Sequence, residues 1–209
     1  MDKPFFSIIV TTYNRENTIK RALESILIQS DNSWEAIIVD DGSKDKTREK
    51  IEKYLDDKRF KYVYHENQGA GFSKNRGLMI AEGNFVTFLD SDDEYLKDHL
   101  SSRKEILLSN DTIDLLYGGC KIIGNPYVPD INDKSKMIHL SNCIIGGTMF
   151  IRRSKAIEIG GFKALRFGDD TEFFNRSQHF GLNIMKTSIE TYIYHRDSSD
   201  SLCGVSGKV

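Results

Sequence analysis

The sequence lacks the features that mark several common classes of protein. It has no Lys/Arg-rich run, and 29 Lys and Arg residues against 31 Asp and Glu residues give a net charge of −2, so we expect no nucleic-acid partner. Its three cysteines are far apart and form no CxxC pair, which predicts reduced thiols rather than a disulfide framework. No apolar run approaches the roughly 20 residues of a membrane-spanning helix.

These absences leave an ordinary globular chain. Its 209 residues form one large domain or two small ones around a shared sheet, and the hydrophobic fraction is 39%. A chain of this length needs no metal or disulfide to fold. The N-terminal residues run straight into an apolar strand pattern, so we expect no signal peptide. The expectation is a soluble cytoplasmic enzyme, with room for peripheral contact at the inner face of the membrane.

Strand and helix patterns alternate through the first half of the chain. Continuous apolar runs at 5–10, 34–39 and 85–89 are typical of strands that are buried on both faces of a parallel sheet. Over 19–27 the apolar residues have the i, i+3, i+4, i+7, i+8 spacing of an amphipathic helix. This βαβα order predicts an α/β fold with helices on both faces of the sheet.

The alternation changes at Gly118-Gly119. From there to Gly146-Gly147 the sequence holds two of its three prolines and no long periodic segment. We interpret this as a change of role rather than a flexible linker, because apolar residues persist through it. A strand at 148–151, a helix that begins at Asp170 and an extended segment at 184–194 are predicted to follow.

Acidic residues end two of the predicted strands. Asp40-Asp41 ends the second strand, and Asp90-Ser91-Asp92-Asp93 ends the fourth. Because ligands bind outside the carboxyl ends of the strands in an open α/β sheet, both clusters should face one crevice. The oxygen ligands of the second cluster suit Mg²⁺ or Mn²⁺ better than zinc. The alternative is that Asp, Gly and Ser crowd these positions as turn residues.

Four motifs occur in order along the chain, at 7–14 (SIIVTTYN), 39–43 (VDDGS), 88–93 (FLDSDD) and 168–170 (GDD). Together they resemble the successive motifs of family 2 glycosyltransferases with a GT-A fold. The resemblance implies a Rossmann-like, mixed and mostly parallel sheet in one domain over 1–209. Within it, 1–95 would be the nucleotide-binding half and 96–209 the acceptor-binding half.

The resemblance also implies an activity. The chain would be an inverting, metal-dependent hexosyl- or acetylhexosaminyl-transferase that moves a sugar from a nucleotide sugar to a hydroxyl acceptor. The donor would be a UDP-sugar, and the acceptor a saccharide or a lipid-linked saccharide. The setting would be the synthesis of a cell-surface polysaccharide or glycan.

Individual residues match positions that bind the nucleotide in the family. Thr11 and Tyr13 would pack against the base, and Asp41 would accept the N3–H of uracil. Asp92 would bind the ribose hydroxyls. Arg76 would face the nucleotide, with a solvated helix face as the alternative.

Two further positions match the family's metal site, and one matches its general base. Asp93 would bind Mn²⁺ or Mg²⁺, which would bridge the diphosphate and offset the charge that grows as the sugar–phosphate bond breaks. His195 would complete the metal site, with a hydrogen-bonded or surface histidine as the alternative. Asp170 would take the proton from the acceptor hydroxyl, with a plain helix N-cap as the alternative.

Three departures from the family pattern bear on these roles. The usual Glu-Asp is Asp169-Asp170 here, and Lys163 stands where the family has an acidic residue. Both departures touch the assignment of the base. No QxxRW motif follows Arg176, which argues against a processive synthase.

Other functions stay open as alternatives. A catalytically silent glycosyltransferase-like partner subunit would be expected to have lost Asp93 or Asp170. A nucleotidyltransferase needs a Gly-rich phosphate loop where 11–14 reads TTYN, and the GxGxxG of a dinucleotide oxidoreductase is absent there too. A dehalogenase-type phosphatase needs DxDx[TV], which Glu94 breaks.

Overall fold

A seven-stranded sheet forms the centre of this computed structural model, which describes residues 3–130, 133, 135–165 and 167–197. With the strands numbered in chain order, the sheet runs from edge to edge through β11 (Ile184–Lys186), β6 (Leu115–Tyr117), β10 (Phe150–Arg152), β4 (Phe85–Asp90), β1 (Phe6–Thr12), β2 (Trp34–Asp40) and β3 (Phe60–Tyr64). β10 pairs antiparallel with both of its neighbours, and the remaining pairs are parallel. The prediction of a mixed, mostly parallel sheet is confirmed.

Six helices in the described part of the chain cover the two faces of this sheet. They are α1 (Ile19–Leu27), α2 (Thr47–Glu52), α3 (Ala70–Ile80), α4 (His99–Ser109), α5 (Arg153–Glu158) and α6 (Asp169–His179). Side chains of β1 alternate between two cores, because successive residues of a strand point to opposite faces. Ile8 packs in the core that contains apolar residues of α1, α2 and α4, and Ile9 in the core of α3, α5 and α6. Burial of one such side chain contributes about 1.5–3 kcal/mol.

The register of the sheet places the two acidic clusters at one edge. β1 lies between β2 and β4, with Thr12 opposite Asp40 and Thr11 opposite Asp90. All three strands are parallel, so their carboxyl ends meet at the same edge of the sheet. The prediction that both clusters face one side is therefore confirmed.

The second half of the chain adds short strands outside the central sheet. β5 (Glu94–Tyr95), β12 (Tyr192–Arg196) and β7 (Cys120–Gly124) form a three-stranded sheet. β8 (Tyr127–Pro129) pairs with β9 (Met137–His139), and 3-10 turns at Leu140–Asn142 and Gly146–Thr148 follow.

Two expectations about this half need correction. The segment 184–194 is not one extended element, because β11 joins the central sheet and β12 joins the small sheet. The strand expected at 148–151 begins only at Phe150, because Thr148 belongs to a 3-10 turn.

Of the three cysteines, Cys120 is a half-buried free thiol, and Cys203 lies outside the described residues. In the described part of the chain, no helix combines the length and apolar character needed to cross a membrane.

A fully buried arginine on α4 fastens the segments around the small sheet. The guanidinium of Arg103 donates to the carbonyls of Gly118 (3.1 Å) and Ile189 (2.6 Å) and to the hydroxyl of Thr191. Burial lowers the pKa of Arg103 to about 10. Burial, together with the neighbouring charge of Arg103, also holds the pKa of His99 well below its ordinary value, so the imidazole is neutral.

We predict that Arg103→Lys lowers the free energy of unfolding by about 2–4 kcal/mol. A single ammonium cannot replace a planar fork that serves three acceptors, and buried carbonyls that lose their donor cost about 1–3 kcal/mol each. Urea denaturation would measure the change. The matched control is Arg48→Lys, whose side chain is 46% exposed and should change stability by less than about 0.5 kcal/mol. Equal stability of the two variants would contradict the prediction.

Candidate active site

Two loops at the carboxyl edge of the sheet are hydrogen-bonded to each other. The N–H of Asn14 donates to the hydroxyl of Ser43 (2.9 Å), and the N–H of Lys44 donates back to the Asn14 side chain (2.8 Å). The N–H of Arg15 donates to the hydroxyl of Thr47 (2.7 Å). Asn14 adopts the left-handed conformation with φ of 51°, which Asn tolerates better than most residues. The loop after β1 is thereby fixed against the loop after β2.

Asp41 lies at this edge, where it contacts the start of α3. Its Oδ1 accepts the N–H of Gln68 (2.7 Å) and its Oδ2 accepts the N–H of Gly69 (3.0 Å), while Nδ1 of His65 lies 3.4 Å from Oδ1. The residue is only 5% exposed. Each carboxylate oxygen can accept more than one hydrogen bond, so capacity for a base N–H remains.

The other residues assigned to nucleotide binding fall into two groups. Thr11 is half-buried at the end of β1, and Tyr13 follows it with 43% of its surface exposed. These two residues lie at the same sheet edge as Asp41. Arg76, by contrast, is exposed on α3, on the side of the helix opposite Lys74, because residues two apart differ by about 200° around a helix.

Lys74 is a buried cation that the sequence analysis missed. Its Nζ lies 2.6 Å from Oδ1 of Asp170 and 2.8 Å from Oδ2 of Asp169, and it packs 4.8 Å from the centre of the Phe162 ring. Burial acts to lower the pKa of Lys74, but the charges of Asp170, Asp169 and Asp90 outweigh it and raise that pKa above its ordinary value. Lys74 is therefore a permanent ammonium ion.

The sequence did contain a signal for Lys74. On a helix, residues three and four apart lie on one face, and Gly71, Gly77 and Leu78 share the side of α3 that carries Lys74. A lysine on such a face is buried, and a buried ammonium requires anionic partners.

Asp170 lies in the first turn of α6, with access to solvent. The helix begins after Gly168, which has φ of 77° and makes no side-chain cap, so Asp170 is not the N-cap. Its Oδ2 accepts the N–H of Gly146 (3.1 Å), and 25% of its side chain is exposed. A Cβ atom on Gly146 would lie 2.3 Å from the Asp170 carboxylate, so that position requires glycine.

The surroundings of the Asp90 carboxyl group oppose its ionisation. Burial raises its pKa to about 7, with Lys74 acting in the opposite direction and Asp92, Asp170 and Asp169 adding to the increase. A cation bound beside Asp90 would therefore favour the ionised form of its carboxyl group.

Asp92 and Asp93 are adjacent in sequence but have different surroundings. Asp92 is 19% exposed, and its Oδ2 lies 3.9 Å from Nε of Arg15. Asp93 is fully buried, and its carboxylate accepts the hydroxyl of Tyr192 (2.5 Å) and the N–H of His195 (2.7 Å). Each oxygen of Asp93 thus holds one protein donor and neither is exposed, and its assignment as a metal ligand stays a prediction.

His195 is held between two carboxylates. Its Nε2 lies 2.8 Å from Oε1 of Glu94, and its Nδ1 lies 3.3 Å from Oδ1 of Asp197. The structure therefore engages both ring nitrogens and brings only the backbone of His195 to Asp93. Within the described ranges, no three His, Cys, Asp or Glu side chains converge as a metal centre.

The donor set nevertheless fits a divalent cation that arrives with its substrate. Mg²⁺ is usually held by one or two carboxylates together with substrate phosphates, rather than by an all-protein cage. Asp90, at the carboxyl end of β4, and Asp92, two residues further along the chain, offer such hard oxygen ligands.

Lys163, one of the departures from the family pattern, belongs to a local ion-pair cluster. Nζ of Lys163 lies 2.8 Å from Glu172, and the Arg176 guanidinium contacts the same carboxylate at 2.7 Å. Hydrogen bonding from Arg176 is the main cause that lowers the pKa of Glu172 to about 2. Glu172 thus takes part in fixing α6 to the preceding loop and is a poor candidate for a base.

Comparisons with known proteins agree with this arrangement. A sequence model of the family described as "Glycosyl transferase family 2" matches residues 7–183. The putative teichuronic acid biosynthesis glycosyltransferase TuaG of Bacillus subtilis is 43% identical over 108 residues, which are 51% of this chain and 43% of that protein. The UDP-Glc:alpha-D-GlcNAc-diphosphoundecaprenol beta-1,3-glucosyltransferase WfgD of Escherichia coli is 38% identical over 126 residues, 60% of this chain and 49% of that protein.

A solved structure extends the similarity to the fold. S. aureus TarS 1-349 in complex with UDP-GlcNAc superposes with a TM-score of 0.79 and 27% identity, over 98% of this chain and 61% of that chain. The chain spans less than half the length of the two curated relatives. Because the family model covers well over half of the sequence, the chain belongs to glycosyl transferase family 2, and its fold is that of the GT-A glycosyltransferases.

Proposed function

We propose that this chain is the catalytic domain of an inverting glycosyltransferase that transfers a sugar from a UDP-sugar to a hydroxyl group. The observation that carries the proposal is the Asp170 carboxylate. It is partly exposed, fixed by Lys74 and Gly146, and linked through Lys74 to the sheet edge that carries Asp41 and Asp90. One edge thus combines candidate donor-binding groups with a candidate base.

The acceptor and the setting follow from the relatives. The Escherichia coli relative is named for a UDP-Glc donor and a diphosphoundecaprenol-linked GlcNAc acceptor, and the Bacillus subtilis relative for teichuronic acid biosynthesis. We propose a saccharide or lipid-linked saccharide acceptor in cell-surface polysaccharide synthesis. The cytoplasmic location, with peripheral contact at the inner face of the membrane, remains a prediction.

The two halves of the domain have separate proposed roles. In 1–95, Thr11 and Tyr13 would contact the base and Asp41 its N3–H, with Arg76 as a further candidate. The second half, 96–209, would bind the acceptor, although residues 198–209 lie outside the described part of the chain.

Asp92 and Asp90 are the proposed ligands of a divalent cation, Mn²⁺ or Mg²⁺. In this proposal the ligand role expected for Asp93 passes to Asp92, because the Asp93 carboxylate is buried against Tyr192 and His195. When bound, the cation would offset the negative charge that builds on the diphosphate leaving group.

The reaction that this geometry supports is a single in-line displacement. The acceptor hydroxyl oxygen attacks the anomeric carbon from the face opposite the diphosphate, so the configuration inverts. The bond between that carbon and the diphosphate oxygen breaks, and its electron pair leaves with the diphosphate. Asp170 accepts the hydroxyl proton, a step that general bases typically accelerate by about 10² to 10⁴-fold. A silent partner subunit is less favoured, because the chain retains these carboxylates.

The first prediction concerns the nucleotide. UDP with Mn²⁺ should raise the melting temperature, whereas ADP and CDP should not, because neither adenine nor cytosine offers an N3–H to Asp41. A ligand at 100 times its Kd stabilises by about 2.7 kcal/mol, which thermal denaturation detects readily. Equal stabilisation by ADP would refute the uracil contact, and stabilisation by GDP alone would change the donor class.

The second prediction separates Asp92 from Asp93. Asp92→Asn should keep the wild-type melting temperature and lose the Mn²⁺-dependent part of UDP binding. Asp93→Asn should lower the free energy of unfolding by about 1–3 kcal/mol, because Asn keeps one acceptor oxygen and its NH2 group would face the other of the two buried donors, from Tyr192 and His195. Denaturation and calorimetric titration of UDP with and without Mn²⁺ measure both effects. The reverse pattern would return the ligand role to Asp93.

The third prediction concerns the base. Asp170→Asn should fold, bind UDP as the wild type does and lose kcat by about 10² to 10⁴-fold, because an amide cannot take the proton. UDP release from UDP-glucose and UDP-GlcNAc measures turnover. The companion variant Asp169→Asn should lose much less. Near-normal turnover by Asp170→Asn would remove it as the base.

A further inference from the structure

Helix α3 connects the candidate nucleotide pocket with the candidate base. At its N-terminal end the N–H groups of Gln68 and Gly69 hold Asp41. Five residues after Gly69, a rise of about 7.5 Å along the helix, Lys74 contacts Asp170 on α6. One short element from the first half of the chain therefore touches the functional carboxylates of both halves.

The Lys74 side chain is held in one direction by its surroundings. The neighbouring Asn75 side chain accepts the N–H of Phe162 and donates to its carbonyl, both at 2.8 Å, which docks α3 on this loop. The Phe162 ring lies under the Lys74 ammonium and stacks on Phe173 of α6 at 4.2 Å. Only 5% of the Lys74 surface is exposed, so water does not take the place of its carboxylate partners.

The two oxygens of Asp170 are restrained from two different parts of the chain. Lys74 donates to Oδ1 at 2.6 Å, and the N–H of Gly146 donates to Oδ2 at 3.1 Å. Two donors on the two oxygens fix the rotation of the carboxylate about its own axis. Each oxygen keeps a second lone pair, which is what a base needs to receive a proton.

We propose that Lys74 is a positioning residue for the general base. It holds the Asp170 carboxylate in the orientation that takes the acceptor proton, and Asp169 serves as its second anchor at 2.8 Å. The inference rests on the proposed function, since it presumes that Asp170 is the base. The inference also assigns a role to Asp169. A lysine that contacted Asp170 alone could move together with that carboxylate, whereas the second contact with Asp169 fixes the ammonium group in place.

The role differs from direct binding of the donor diphosphate. An ammonium that contributes to phosphate binding would affect affinity for UDP. Lys74 is already paired with two carboxylates at hydrogen-bond distance, so replacing this residue should lower the rate of the chemical step rather than the affinity for UDP. Misplacing a reacting group by about 1 Å can cost about 10²-fold in rate.

The test compares Lys74→Met and Lys74→Gln with the wild type. Both variants should lose kcat for UDP release from UDP-glucose or UDP-GlcNAc by about 10 to 10²-fold, with KM for the donor and the UDP-induced rise in melting temperature unchanged. Lys74→Gln keeps a neutral donor and guards against a Met variant that fails to fold. In the double variant Lys74→Met/Asp170→Asn, turnover should be no lower than in Asp170→Asn alone, because Lys74 acts through Asp170.

Lys61→Met is the matched control. Lys61 likewise contacts two carboxylates, Glu35 and Glu82, each at 2.8 Å, but at the other end of the strands. Its removal should leave kcat at the wild-type value.

Each remaining outcome is decisive. Wild-type kcat in both Lys74 variants overturns the inference, as does a loss in the double variant that multiplies the two single losses. A raised KM with unchanged kcat would assign Lys74 to donor binding instead. Failure of the proposed function is distinguishable, because it appears as normal turnover in Asp170→Asn itself.

Discussion

Negative charge crowded at the carboxyl edge of the central sheet is the constraint on which the rest of the site depends. Parallel pairing of β1 with β2 and β4 brings the acidic ends of two strands together, and like charges in one place must be compensated. The protein does this locally and by different means. Backbone N–H groups hold Asp41, a hydroxyl and an N–H hold Asp93, and a buried ammonium holds Asp169 and Asp170.

These carboxylates differ in their exposure to solvent and in the donors that hold them. Asp93 has two protein donors and no exposed surface, and these contacts hold β12 against the turn at residues 90–93. Burial raises the pKa of Asp90 to about 7, so the ionised form is costly, and a cation bound beside it would favour that form. Asp170 is intermediate between Asp93 and Asp90, because two donors orient its carboxylate while a quarter of its side chain is exposed to solvent.

Much of the fold could be predicted from the sequence, since strands buried on both faces leave continuous apolar runs and α1 shows its period over the residues that form it, Ile19–Leu27. The motifs also indicated the right sheet edge. The hydrogen-bond and ion-pair partners that depend on tertiary packing could not be predicted. The sequence offers two basic residues on α3, and packing against α6 decides that Lys74 rather than Arg76 faces the carboxylates. Likewise, the sequence does not show that β12 covers Asp93 and leaves the adjacent Asp92 partly exposed.

The contacts that complete the site join residues far apart along the chain: Lys74 and Asp170 are 96 positions apart, and Asp93 and Tyr192 are 99 positions apart. Strands β1 to β4 are synthesised before α6 and β12, so Lys74 and Asp93 meet their partners Asp170 and Tyr192 only after these later elements are made. Loop closure over such spans is slow. During synthesis the nascent chain thus carries most of the central sheet, with an acidic edge, before β12, the last strand in the described part of the chain, contacts Asp93.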